Sequence, residues 1–205
     1  MNAYRLYLVT DDQQDLATLK HVVRRAVEGG VTMVQVREKH GDVRAFIERA
    51  QAVKEILQGT NVPLIINDRV DVALAVDADG VHLGQSDMPV NIARELIGPN
   101  KILGLSIEDE QQLAEVDALP IDYIGLSAIY PTPTKTNTKQ HWGIDGLKMA
   151  LSTTSLPIVA IGGINETTIP ELSATGVHGL ALVSAICHAD DPKRACEYLL
   201  GLIKR

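Results

Sequence analysis

Gln35, Arg37 and Lys39 alternate through the segment MVQVREK. A period of two puts all three on one face of a strand, with Val34 and Val36 on the other. An amide beside two cations suits a polyanion such as a diphosphate, because guanidinium and ammonium groups both make charge-assisted hydrogen bonds to phosphate oxygens. A solvated salt bridge with Glu38 answers the same pattern. Asp68 and Asp87 each follow a further apolar run. Such a pair can share a magnesium ion (Mg2+), which takes carboxylate, phosphate and water oxygens. Their structural alternatives are an N-cap for a helix led by Pro89 and a partner for Arg69. A diphosphate carries about three negative charges, and a carboxylate about 4 Å away is repelled by about 4 kcal/mol at an effective dielectric near 20. If cations and carboxylates serve one site, a divalent cation must lie between them.

Smaller residues mark a second group. Gly104, Ser106, Gly125 and Ser127 share the inward face of two strands if Leu103, Leu105, Ile124 and Leu126 face helices, leaving room for a ligand or for tight packing against bulkier neighbours. Gly162-Gly163 and Val183-Ser184 stand where barrels of parallel strands often hold a phosphate with backbone N–H groups. The six histidines lack ligand spacing and are expected to be structural or surface residues. Cys187 and Cys196 match neither a zinc nor a CxxC pattern and are expected to be structural thiols.

The elements that must position these residues alternate along the whole chain. Strands are predicted at 4–10, 31–37, 62–67, 80–83, 102–107, 123–129, 157–162 and 179–186, mostly continuously apolar, as strands covered on both faces should be. Each is followed by helical apolar spacing. Leu16, Leu19, Val23, Ala26 and Val27 form one such stripe ending at Gly29-Gly30, and Asp42 is placed to cap the next helix. Eight strand-then-helix units predict an α/β fold, a (βα)8 TIM barrel in a single compact domain over 1–205, with an open doubly wound sheet as the alternative. Both put ligands at the carboxyl ends of the strands. The loosest stretch, 131–141, falls between strand six and helix six, where an active-site loop belongs.

A net charge of −7 with 3% aromatics is a poor basis for binding nucleic acid, so none is expected as a partner. A phosphorylated ligand must then be held by a local cationic pocket or a metal. No apolar run approaches the roughly 18 residues that span a bilayer, and the opening residues lack a secretory pattern. No membrane partner and a cytoplasmic location are therefore expected; a homo-oligomer stays open.

Together, YLVTD at 7–11, GGVTMVQVREK at 29–39, LIINDRVDVALAVDADGVHLGQSD at 64–87, LGLS at 103–106, PTPTK at 131–135, AIGGI at 160–164 and VSAI at 183–186 resemble the thiamin phosphate synthase family, in family order over nearly the whole chain. The resemblance implies a transferase of thiamine biosynthesis. It would condense a hydroxymethylpyrimidine diphosphate with a hydroxyethylthiazole phosphate, or its carboxylate form, to thiamin phosphate and pyrophosphate. On the family pattern Gln35, Arg37 and Lys39 match the pyrimidine-diphosphate site, Asn67 and Ser106 further contacts to that substrate, and Asp68 and Asp87 the magnesium ligands. Lys135 matches a loop lysine that reaches the pyrophosphate, while Thr132, Thr134, Gly163, Val183 and Ser184 match contacts to the thiazole phosphate. Arg37, Lys39, Ser106 and Lys135 are the implied catalytic group. The chain departs from the pattern at His141 and Trp142, where small residues and proline are expected, and at Tyr130, where Phe is common.

Two other functions fit the same barrel. A thiazole tautomerase, the runner-up, carries in this resemblance a histidine where this chain has Glu108, and tends to lose the aspartate that stands here as Asp68. A phosphate-ligand sensor without catalysis would need the binding residues but not both Asp68 and Asp87.

Overall fold

Eight short apolar runs form parallel strands: β1 (Leu6–Val9), β2 (Met33–Val36), β3 (Leu64–Asn67), β4 (Gly80–Leu83), β5 (Ile102–Ile107), β6 (Tyr123–Ser127), β7 (Ile158–Ile161) and β8 (Gly179–Leu182). Each pairs with the next, and β8 returns to β1 to close a barrel in a computed structural model that describes residues 2–132 and 141–204. Gln35 lies opposite Val9 on β1 and Ile65 on β3, and Ser106 opposite Gly125 on β6. Around the barrel run α1 (Leu16–Glu28), α2 (Val43–Leu57), α3 (Val70–Ala75), α4 (Val90–Ile97), α5 (Glu110–Glu115), α6 (Gly143–Thr153), α7 (Ile169–Ala174), α8 (Ser184–Cys187) and α9 (Pro192–Leu202).

Caps set several of the helix starts. Asp15, Asp42, Asp109 and Asp191 each accept backbone N–H groups of the first turn, the Asp42 bond to Ala45 N at 2.9 Å, as its position predicts. Each such cap contributes about 1 kcal/mol. α1 ends as expected, with Gly29 N–H bonded back to Arg25 and Ala26 and Gly30 at φ +95°.

The alternation separates two cores. Val34, Val36, Leu103, Leu105, Ile124 and Leu126 join the large cluster beneath the helices, whereas Tyr7, Val9, Met33, Ile65, Tyr123, Val159 and Ala181 pack inside the barrel. Burying a large apolar side chain fully contributes about 1.5–3 kcal/mol, so β1, β2, β3, β6 and β7 are anchored on both faces.

Two expectations are corrected. The last strand ends at Leu182 instead of continuing to 186, because Val183 turns to φ −110°, ψ −84° and its carbonyl accepts from Ile186 and Cys187, starting the additional helix α8. VSAI sets three apolar residues around Ser184, so its pattern suits a strand or a buried helical turn equally. Gly104 also leaves no room for a ligand: a Cβ there would meet Tyr123 Cζ at 2.3 Å and His82 Nδ1 at 2.4 Å. Its missing side chain makes space for two large polar residues. Gly104→Ala should therefore destabilise the protein by about 1–3 kcal/mol through overpacking, read as a lower urea midpoint with unchanged slope.

Candidate active site

A cavity of about 760 Å³ opens at the carboxyl ends of the strands. Gln35, Arg37, Lys39, Asn67, Asp68, Asp87, Ser106, Thr132, Gly163, Val183 and Ser184 all line it, so residues spread over 150 positions share one space. Thr134 and Lys135 lie outside the described residues. Glu108, at the tautomerase's histidine position, also lines the cavity.

The chain beyond β2 is held from both sides. Arg37 N donates to Thr10 Oγ1 at 3.0 Å and Lys39 N to Asp12 Oδ2 at 3.1 Å, which ties the segment to the end of β1. The intervening Glu38 turns away and pairs with Arg49 at 2.6 Å, with both side chains largely buried. Glu38 is thus committed to α2, and the salt bridge that competed with the polyanion reading is not formed. His40 bonds Asp12 Oδ2 at 2.8 Å. Burial alone would raise the Asp12 carboxyl, but hydrogen bonds from His40, Gln13 and the Lys39 N–H hold it below its ordinary value.

Asp68 and Asp87 meet across the mouth. Asp68 stands at φ +63°, a strained conformation for a non-glycine residue, with its N–H donating to His82 O at 2.8 Å and its carboxylate paired with Lys39 Nζ. Asp87 Oδ2 accepts from Gly84 N at 2.7 Å. Burial, followed by the neighbouring Asp68 carboxylate, pushes Asp87 above its ordinary pKa. Neither structural alternative holds: Arg69 pairs with Asp71, and α4 starts at Pro89 without a side-chain cap. Among the described residues no cluster of three or more His, Cys, Asp and Glu could hold a metal. Two adjacent carboxylates, one of them costly to ionise, fit a hard divalent cation that takes its other oxygens from substrate and water.

Beneath this charged rim lies a neutral floor that the sequence reading missed. Tyr7, His82 and Tyr123 face the cavity and bond to one another and to Gln35 and Ser106. Among the six histidines, expected to be structural or surface residues, His82 lines the cavity; the feature that marks it is the glycine pair opposite, since a Cβ at Gly125 would lie 3.0 Å from its ring. Asn67 lines the cavity, and its Nδ2 is buried without a hydrogen-bond partner among the described residues. Such a donor costs about 1–3 kcal/mol unless a ligand or water accepts from it.

The far side of the mouth is built from backbone. Gly162 and Gly163 take φ +101° and +67°, and a Cβ on Gly163 would lie 2.7 Å from both Pro131 O and Tyr130 Cβ. Val183 and Ser184 face them from the start of α8. Trp142 seats in the core with Nε1 donating to Ser127 O at 3.3 Å, so this departure from the family pattern closes the base of α6.

Residues 6–186 match the family described as Thiamine monophosphate synthase. The chain belongs to that family. The thiamine-phosphate synthase of Vibrio campbellii is 88% identical over the full length of both chains, and that of Albidiferax ferrireducens is 50% identical, covering 99% of this chain and 93% of its own. Among solved structures, the thiamine phosphate pyrophosphorylase of Pyrococcus furiosus superposes with a TM-score of 0.88 at 36% identity, covering 98% of this chain and 96% of its own. The 3-hexulose-6-phosphate synthase of Salmonella typhimurium, at TM-score 0.75 and 17% identity, shares the barrel alone. Within the thiamine monophosphate synthase family these similarities favour the synthase over the tautomerase.

The carboxylate pair yields a direct test. A saturating divalent cation should raise the thermal midpoint of the wild type by about 2 °C or more, and Asp87→Asn should abolish that rise. A carboxyl raised on folding contributes stability only while protonated and loses it as pH climbs through its folded pKa. Metal-free Asp87→Asn should therefore gain on the wild type as pH rises above about 4 in thermal melts.

Proposed function

We propose that this protein joins 4-amino-2-methyl-5-hydroxymethylpyrimidine diphosphate to hydroxyethylthiazole phosphate, releasing pyrophosphate and forming thiamin phosphate. The observation that carries the reading is the stacking of a neutral amide-bearing floor under a rim that holds two cations and two carboxylates in one cavity. An aromatic ring fits the first and a diphosphate the second.

In this reading the C–O bond to the diphosphate breaks with its electron pair going to pyrophosphate. The amino group of the ring stabilises the methylene cation left behind, and the thiazole nitrogen then supplies the pair for the new C–N bond. No enzyme nucleophile is required. Gln35, Asn67 and Ser106 orient the ring. Arg37 and Lys39 meet the diphosphate, with Lys135 joining them from the loop. Mg2+ held by Asp68 and Asp87 would supply positive charge to the leaving oxygens. Thr132, Thr134, Gly163, Val183 and Ser184 hold the thiazole phosphate, placing its nitrogen against the cation. Asp12 keeps the Lys39 backbone in place for this work. The two buried thiols agree with a reducing, cytoplasmic setting.

Purified protein given both substrates should form thiamin phosphate with Mg2+ and none with EDTA. Lys135→Ala and Asp87→Ala should each lower kcat by about 10²-fold or more with unchanged circular dichroism, as expected when charge stabilisation of a leaving group is lost. Near-normal rates in both at saturating substrate would sink the assignment. Isomerisation of the thiazole phosphate without condensation would favour the tautomerase.

A further inference from the structure

An unbroken line of hydrogen bonds crosses the barrel floor from β2 to β5. Gln35 Nε2 donates to Tyr7 OH at 2.7 Å, Tyr7 OH lies 3.0 Å from Tyr123 OH, Tyr123 OH lies 2.8 Å from His82 Nδ1, and His82 Nε2 lies 2.9 Å from Ser106 Oγ. Burial pushes both phenols above their ordinary pKa, so each hydroxyl keeps its one proton. A neutral imidazole likewise carries a single N–H.

Those proton counts make the line directional. With Gln35 donating and His82 neutral, the order that keeps both phenol protons within the line has Tyr7 donating to Tyr123, Tyr123 to His82 Nδ1, and His82 Nε2–H to Ser106, whose own proton is then offered to the cavity. The reverse order satisfies the same bonds only if the Gln35 amide turns over and every proton in the line turns with it. A mixed arrangement leaves Tyr7 OH accepting from both Gln35 and Tyr123, with its own proton turned out of the line.

We propose that Tyr7, Tyr123 and His82 are positioning residues that lock the polarity of Gln35 and thereby select a 4-amino over a 4-oxo pyrimidine. With Nε2 committed to Tyr7, Gln35 has Oε1 to present to a ligand. Asn67, one inward step beyond the residue that pairs with Gln35, contributes the buried donor Nδ2. An acceptor beside a donor complements the edge of an aminopyrimidine, which shows an exocyclic N–H next to a bare ring nitrogen. The 4-oxo ring in its lactam form shows the opposite order, a carbonyl next to a ring N–H. Accepting it requires both amides to turn and the whole line to reverse, which couples the choice of ring to Ser106 at the far end.

This inference rests on the pyrimidine reading above, and the test separates the two. The 4-amino and 4-oxo forms of 2-methyl-5-hydroxymethylpyrimidine monophosphate, which lack the pyrophosphate leaving group, are titrated calorimetrically into the full chain with Mg2+. The wild type should favour the amino form by about 30-fold or more, since a site built to hydrogen-bond one group rejects its mismatch strongly. Tyr7→Phe and Tyr123→Phe each cut the line without changing the ring, and the preference should fall to about fivefold or less. Equal weakening of both ligands, with the ratio kept, marks a merely structural role and overturns the proposal; so does a wild type without preference. Independently of any variant, 15N NMR of the wild type should find His82 protonated at Nε2 with Nδ1 accepting, and a proton on Nδ1 overturns the lock. A wild type that makes thiamin phosphate yet fails the ratio refutes the lock alone. One that binds neither pyrimidine and makes no product refutes both.

Discussion

Two carboxylates face each other at the mouth of this barrel with a lysine alongside, in a cavity partly withdrawn from water. Like charges at such short range cannot both be ionised cheaply, and the raised Asp87 carboxyl registers that cost. The surrounding structure holds the groups there regardless. Asp68 is kept at positive φ by the bond from its N–H to the end of β4, and Lys39 is kept beside it by Asp12 beyond β1. Glu38, which could have neutralised either cation, is drawn off to Arg49. The rim is thus poised to receive one cationic and one polyanionic guest together.

The floor works by the opposite rule. Tyr7, Tyr123 and His82 are buried and bonded to one another there, so a ring lying on it meets fixed dipoles. Gly104 and Gly125 make this possible by leaving their side-chain space to His82 and Tyr123. Low local dielectric strengthens hydrogen bonds in such a network and makes an unmatched one costly. Asn67 Nδ2, without a partner among the described residues, is the place where that cost awaits a ligand.

The order of the elements and the inward residues of each strand were legible because both follow from periodicity. A closed parallel sheet buries both faces, which makes the strands continuously apolar, and a period of two assigns Gln35 inward and Val34 and Val36 outward with no further information. The carboxylates were legible as a pair, but their neighbours were not: Arg69 pairs with Asp71 two residues on, and Glu38 with Arg49 on α2. The end of β8 was misread because a short, mostly apolar segment is compatible with two backbone conformations, and only docking against α1 and α9 makes the helical one bury Ile186 and Cys187.

By itself, then, the sequence determined the barrel, the strand ends as the place of the chemistry, and the charged residues with the types needed there. These depend on local spacing and side-chain chemistry, which each segment carries alone. Tertiary structure decided which groups touch. It placed Asp68 against Asp87, linked Tyr7, Tyr123 and His82 across three strands, and left Asn67 with a buried donor. Contacts of that kind join residues up to 116 positions apart, and no periodicity within a strand encodes what the closure of the barrel brings opposite it.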